Sequence, residues 1–251
     1  MINKILFPKY FIKDLIRVGS QSDGGYVISS KIIRKADYLL SFGLGDNFRF
    51  ETDLKKKNPK CKIYVYDHTI NFFYWTKHFF YWLWKSIRFR KYLKFLTFIN
   101  YVLFFKIKKN KHHRIKISKI NCSLAKTLQI NKINHKKTIL KIDIDGGEYS
   151  IINEIKNYNF LGLIIEFENA HQNMKKIINF VKNNKNLTII HIHGNNFLPT
   201  IKNIPQALEI SFINTAFINK KLKNYRSYPI ADLDFPNNIM KKDIKLFFKN
   251  K

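Results

Sequence analysis

The segment Ser41-Phe42-Gly43-Leu44-Gly45-Asp46-Asn47 narrows what this chain can fold into more than any other. An apolar run, Tyr38-Leu39-Leu40, leads into two closely spaced glycines, and a helical pattern follows to residue 57. A second apolar run, Lys62 to Tyr66, ends in Asp67, 22 residues beyond Gly45. Strand, glycine turn, helix, strand and acid make the front half of a nucleoside-binding α/β unit. Glycine lets the backbone turn tightly against a ligand, and an acid about 20 residues on meets ribose hydroxyls.

A dinucleotide fingerprint wants a third glycine where Phe48 stands, so that helix and strand can approach. Asp46, expected at the helix N-terminus, would cap it well but repel a pyrophosphate seeking the same amides. S-adenosylmethionine, with an adenosine, a sulfonium and an amino-acid tail but no phosphate, suits such a turn. Gly43 and Gly45 would let backbone amides approach that tail, Asp46 and Asn47 would hydrogen-bond nearby, and Asp67 would accept from the ribose.

A second constellation is Ile139-Leu140-Lys141-Ile142-Asp143-Ile144-Asp145-Gly146-Gly147-Glu148. It reads as a buried strand that delivers acids at its carboxyl end, then a Gly-Gly turn and a helix. In open α/β sheets the ligand crevice lies at the carboxyl ends of the strands, so Asp143 is expected beside Gly43, Gly45 and Asp67. Asp145 and Glu148 either face the substrate or cap the helix and favour its dipole.

Apolar runs place strands at 37–42, 62–67, 114–118, 138–143, 161–167, 187–193 and 207–213. Polar amphipathic stretches place helices at about 47–57, 123–129, 147–157 and 171–184, with more in 71–105. Asp23-Gly24-Gly25-Tyr26 reads as a turn into a short strand. Alternation of this kind predicts a mainly parallel, doubly wound sheet in one domain spanning 1–251, with the last two strands as an antiparallel edge pair.

Residues 71–112 interrupt that alternation with an aromatic, basic insertion. Phe72-Phe73-Tyr74-Trp75 and Phe79-Phe80-Tyr81-Trp82-Leu83-Trp84 precede Arg88, Arg90, Lys91 and Lys94; an uncharged run from Phe95 to Phe105 precedes Lys106, Lys108, Lys109 and Lys111. Neither run reaches the roughly 20 apolar residues of a membrane span. Three readings stay open: a helical lid on the core, an interfacial contact with anionic lipid, or a surface that stacks single-stranded nucleic acid.

The chain carries 46 Lys and Arg against 17 Asp and Glu, a formal +29. Much of that excess, with abundant Asn, Ile and Phe, fits drift toward AT-rich codons; the field still attracts anions such as nucleic acid, acidic lipid or anionic glycan. Two cysteines without metal-type spacing argue against a disulfide scaffold. Met1 to Lys13 lacks the pattern of a signal peptide. A cytoplasmic protein is expected, peripheral at the inner face of a membrane if the insertion touches lipid.

Arg17-Val18-Gly19-Ser20, Asp23-Gly24-Gly25-Tyr26-Val27-Ile28, the Gly43–Asn47 turn with Phe50-Glu51, Tyr66-Asp67-His68-Thr69-Ile70, Asp143-Ile144-Asp145-Gly146-Gly147-Glu148, His191-Ile192-His193-Gly194-Asn195-Asn196 and Leu208-Glu209-Ile210 occur in that order. Together, over about residues 15 to 215, they resemble the FkbM-type methyltransferase family. The family's usual Asp-Ile-Glu-Gly-Ala-Glu stands here as Asp-Ile-Asp-Gly-Gly-Glu. The resemblance implies a Rossmann-like class I methyltransferase fold with a seven-stranded sheet and helices on both faces. It also implies S-adenosylmethionine as cofactor and methyl transfer to a hydroxyl of a sugar, glycan or glycolipid-like acceptor. It adds Glu51, His68 and Asp23 to the cofactor side.

Transfer to an alcohol needs alignment of oxygen, methyl and sulfur, and a base for the hydroxyl proton. Asp143 is the first candidate base and His193 the second, with Asn195 and Asn196 beside it for a polyhydroxylated substrate. A metal-assisted variant would use Asp143 with Glu166, Glu168 and Asn169 around a divalent ion such as magnesium. Two competing functions remain: a nucleic-acid methyltransferase, motivated by charge although no Asn-Pro-Pro-Tyr-like motif follows the fourth strand, and a non-enzymatic nucleic-acid- or membrane-binding protein that keeps the fold.

Overall fold

The computed structural model describes residues 1–70, 72–89, 93–107 and 110–249. Among the described residues eleven strands form: β1 (Ile2–Asn3), β2 (Leu15–Gly19), β3 (Gly25–Ser29), β4 (Tyr38–Phe42), β5 (Lys62–Tyr66), β6 (Lys111–His113), β7 (Thr138–Ile142), β8 (Gly162–Phe167), β9 (Leu187–Asn195), β10 (Ala207–Asn214) and β11 (Phe248–Lys249). The α-helices are α1 (Ser30–Lys35), α2 (Arg49–Lys57), α3 (Phe72–Phe89), α4 (Leu93–Val102), α5 (Leu124–Ile130), α6 (Ile152–Ile155) and α7 (Ala170–Asn183).

The central sheet has seven strands in the order β6-β5-β4-β7-β8-β10-β9. Counted along the chain that order is 3-2-1-4-5-7-6, that of the class I methyltransferase fold. Strands β4 to β8 pair in parallel, and β10 runs antiparallel between β8 and β9. Central strands such as β4, β7 and β8 are buried along almost their whole length, as expected for a sheet covered on both faces. Two apolar clusters fill those faces. One gathers Phe42, Tyr66, Leu140, Ile142, Phe167 and Phe212; the other gathers Leu39, Phe50, Leu54, Val65, Ile139 and Ile164. A β2–β3 hairpin sits beside α2 and the β9–β10 edge.

Three sequence expectations shift. The third sheet strand is Lys111–His113 rather than 114–118, with Tyr64 to Tyr66 paired to it and His113 stacked on Tyr66 at 4.5 Å. The alternation at 114–118 does bury Ile117, but without a strand partner. Helix 147–157 breaks into a short 3-10 turn, Glu148–Ser150, and the four-residue α6. Helix α2 starts at Arg49 with Phe48 as its cap residue, so Asp46 does not cap it. Within the insertion, Arg90, Lys91, Lys108 and Lys109 lie outside the described residues. Among the described residues no helix is long and apolar enough to cross a membrane.

Candidate functional site

The chain enters the sheet at β4, in its middle, builds outward through β5 and β6, then returns to β7 on the other side of β4. The carboxyl ends of β4 and β7 therefore splay around a topological switch point, where α/β sheets bind ligands. Phe42 pairs with both Tyr66 and Ile142, which brings Gly43, Asp67 and Asp143 to one rim. Gly43 is required there: its φ is +81°, and a Cβ would lie 1.6 Å from the Asp143 carbonyl oxygen.

Asp67 holds the glycine turn rather than waiting open for a sugar. One carboxylate oxygen accepts from the Leu44 and Gly45 amides at 2.8 and 2.9 Å; the other accepts from the Thr69 amide and hydroxyl, both at 2.6 Å. Burial works against the charge, but these donors outweigh it and hold the carboxyl below its ordinary value. All four lone-pair positions are used, so a ribose would meet Asp67 only by displacing Thr69. His68 is exposed next to it.

Beneath the turn lies a buried charge pair. Lys141 Nζ is 3.4 Å from Glu51 Oε1 and 3.5 Å from Asp143 Oδ2, and donates to the Gly43 carbonyl at 3.1 Å. Ser41 Oγ also donates to Glu51. Burial lowers the Lys141 pKa, yet Glu51 and Asp143 outweigh it and raise it above the usual lysine value. Glu51, expected to touch the cofactor, is instead fully buried and neutralises this lysine.

Asp143 faces outward from that pair. Tyr26 donates its hydroxyl to Asp143 Oδ2 at 2.8 Å and lies 3.5 Å from Glu166 Oε2. Asn195 Nδ2 donates to Glu166 Oε1 at 2.9 Å, while its own oxygen accepts from the Phe197 amide. Asp23, Asp143, Asp145, Glu166, Glu168 and Asn195 line a cavity of about 260 Å³. Burial first, and then the neighbouring carboxylates, push Glu166 well above its ordinary pKa and raise Asp23, Asp145 and Glu168. On a chain with a formal +29, the crevice at the switch point is acidic. A larger hollow of about 480 Å³, lined by Met174, Ile178, Lys182 and Ile204, has no Asp, Glu, His, Cys or Ser among its lining residues.

The remaining expected residues divide. Asp46 accepts from the Tyr74 hydroxyl at 3.1 Å, and Asn47 Nδ2 donates to the Asp23 carbonyl at 2.7 Å, joining the turn to its neighbours. Glu148 is buried behind the crevice, where its Oε1 accepts from the Glu168 amide; burial lifts its pKa to about 7. It holds the Glu168 backbone and is not among the residues that line the cavity.

His193 is not placed to act as a base. Its Nδ1 is 3.1 Å from Glu209 and its Nε2 is 3.0 Å from Asp243, with the ring buried. Burial disfavours the charge, but the two carboxylates outweigh it and raise the pKa to about 10, so the imidazole is protonated at neutral pH. Asn196 donates to the carbonyls of Asn238, Lys241 and Lys242 and accepts from the Asn238 amide. It fastens the C-terminal segment and does not line the crevice. As for magnesium, Asp143, Glu166 and Glu168 share one cavity, but among the described residues no group of three or more His, Cys, Asp or Glu could hold a metal ion.

Tyr26 was invisible as a site residue in the sequence. Its only signal was its place directly after Asp23-Gly24-Gly25.

No protein-family model and no curated protein matches the chain. Among solved structures, a fibrillarin/Nop5p complex is similar over 82% of this chain and 97% of that one, at 11% identity and a TM-score of 0.42. A Methanococcus jannaschii fibrillarin pre-rRNA processing protein is similar over 82% and 87%, at 10% identity and a TM-score of 0.42. A precorrin-6y C5,15-methyltransferase from Geobacter metallireducens GS-15 is similar over 74% and 86%, at 10% identity and a TM-score of 0.39. Likenesses this distant carry no chemistry to this chain; the fold follows from the strand order alone.

Proposed function

We propose that this protein is an S-adenosylmethionine-dependent methyltransferase whose acceptor atom is a hydroxyl oxygen. The observation that carries the reading is the acidic crevice at the switch point of a class I methyltransferase strand order. A cofactor that is itself a cation, with a sulfonium and an ammonium, suits carboxylate walls. A phosphate-bearing nucleotide would be repelled by the same walls.

The Gly43–Gly45 turn, pinned by Asp67, presents a small backbone surface for the cofactor, with Asp145 and His68 exposed at its margin. When bound, S-adenosylmethionine would supply an electrophilic methyl group. Asp143 keeps about 30% of its side chain exposed, and would be the group that takes the proton of the acceptor hydroxyl. Tyr26 and Lys141 orient that carboxylate from behind. Asp23, Asp145, Glu168 and Asn195 are suited to accept from, or donate to, a polyhydroxylated acceptor. The FkbM resemblance supports a sugar or glycan hydroxyl. A nucleic acid suits the cavity less well, because its phosphates would meet five carboxylates.

Titration calorimetry of the full chain tests this. Heat with S-adenosylmethionine and S-adenosylhomocysteine, and none with NAD, is the expected result. No heat with either sulfur compound would favour a binding protein that keeps only the fold. Asp143→Asn should retain cofactor binding while abolishing transfer of labelled methyl to a cell extract; a parallel loss of both would demote Asp143 from base to binder.

A further inference from the structure

Helices α3 and α4 pack one side onto the glycine turn and leave the other apolar. On α3, Trp75 is buried and Phe79 half-buried, against Phe98 and Tyr101. Phe98 and Tyr101 on α4 and Phe105 in the π-helical turn after it follow at helical spacing, and Tyr101 meets Phe48 of the turn at 6.0 Å. Polar ties complete the anchorage. Tyr74 donates to Asp46, Tyr101 Oη lies 2.6 Å from His112 Nδ1, and His112 Nε2 lies 3.0 Å from the Asp67 carbonyl.

On the opposite stripes large apolar side chains are exposed. Phe73, Phe80 and Trp84, spaced 7 and 4 apart on α3, are 79%, 74% and 56% exposed. Leu96 and Ile99 on α4 and Leu103 in the π-helical turn Leu103–Ile107 that continues it, spaced 3 and 4 apart, are 48%, 38% and 41% exposed. Charge along this insertion is one-sided. From Phe72 to Lys111 the chain has ten Lys and Arg and no Asp or Glu.

We infer that the outer face of α3 and α4 is a docking surface for an anionic lipid bilayer. Aromatic rings suit the headgroup layer, aliphatic side chains suit the acyl boundary, and Lys and Arg in the same insertion are attracted to an acidic surface. Single-stranded nucleic acid would use the rings and cations but gains little from exposed Leu96, Ile99 and Leu103. A second copy of the chain would bring two insertions rich in Lys and Arg together. The surface adjoins the cleft because α4 packs on the turn that borders it. Combined with the methyl-transfer reading, it points to an acceptor presented on lipid; the binding test does not depend on that reading.

The test is sedimentation of the full chain with vesicles of phosphatidylcholine alone or mixed with phosphatidylglycerol. Binding to the mixed vesicles only, weakened by salt, is expected. The triple variant Phe80→Ser, Leu96→Ser, Leu103→Ser should bind them on the order of tenfold or more weakly, with an unchanged thermal melt. Should that variant not fold, wild-type tryptophan fluorescence carries the test: brominated lipid in mixed vesicles should quench it. No sedimentation with mixed vesicles, unchanged binding by the folded triple variant, or absence of quenching would overturn the inference. So would binding of a single-stranded RNA that the triple variant loses while vesicle binding persists.

Discussion

The Tyr26 hydroxyl donates to Asp143 Oδ2 at 2.8 Å, across 117 residues of chain. A hairpin residue from outside the main sheet thus orients the carboxylate at the end of β7. The same hydroxyl is 3.5 Å from Glu166, so it stands between two acids that would otherwise repel. Tyr26→Phe should therefore cost about 0.5–1.5 kcal/mol of stability, the net range for one intramolecular hydrogen bond. Urea unfolding at neutral pH measures it, and an unchanged midpoint and slope would show that the bond contributes nothing.

Lys141 and Glu51 are expected to behave as a buried ion pair. Lys141→Met alone strands the Glu51 carboxylate and should cost about 3–5 kcal/mol, whereas Lys141→Met with Glu51→Leu should recover most of that loss. A double-mutant cycle by denaturant unfolding gives the coupling. Additive single effects would mean the two side chains do not act together.

The two glycines of the turn should differ in how much they tolerate a side chain. Gly45 has φ of +57° and only a distant neighbour, so Gly45→Ala should cost about 1–2 kcal/mol from conformation alone. Gly43→Ala adds a Cβ 1.6 Å from the Asp143 carbonyl oxygen and should cost about 4 kcal/mol or more, or prevent folding. Thermal melts of the two variants compare them directly; equal losses would place the turn's constraint in backbone conformation only.

His193 makes stability depend on pH. Its folded pKa, about 10, is raised from the ordinary 6.5, so the folded state holds the proton more tightly than the unfolded chain. That contribution is complete below about pH 6.5 and is lost as pH rises through about 10. Unfolding free energy should fall across that window, and His193→Gln should flatten the fall. A variant with the same pH slope as the wild type would locate the titrating group elsewhere.

Local pattern carried the glycine turn, Asp67, the apolar strands and the antiparallel edge pair, because each rests on short-range periodicity or on backbone freedom within a few residues. It also carried the meeting of Gly43, Asp67 and Asp143 at one rim, since parallel strands deliver their carboxyl ends to the same side. Side-chain occupancy was another matter. Asp67 reads as an open acceptor until the Leu44, Gly45 and Thr69 donors are seen around it. His193 reads as a base until Asp243, 50 residues later, closes on it. Glu51 reads as a ligand-facing acid until Lys141 arrives from a neighbouring strand. Which polar groups satisfy one another is settled by long-range packing, because a buried charge takes whatever partner the tertiary fold brings within reach, and linear spacing holds no record of that distance.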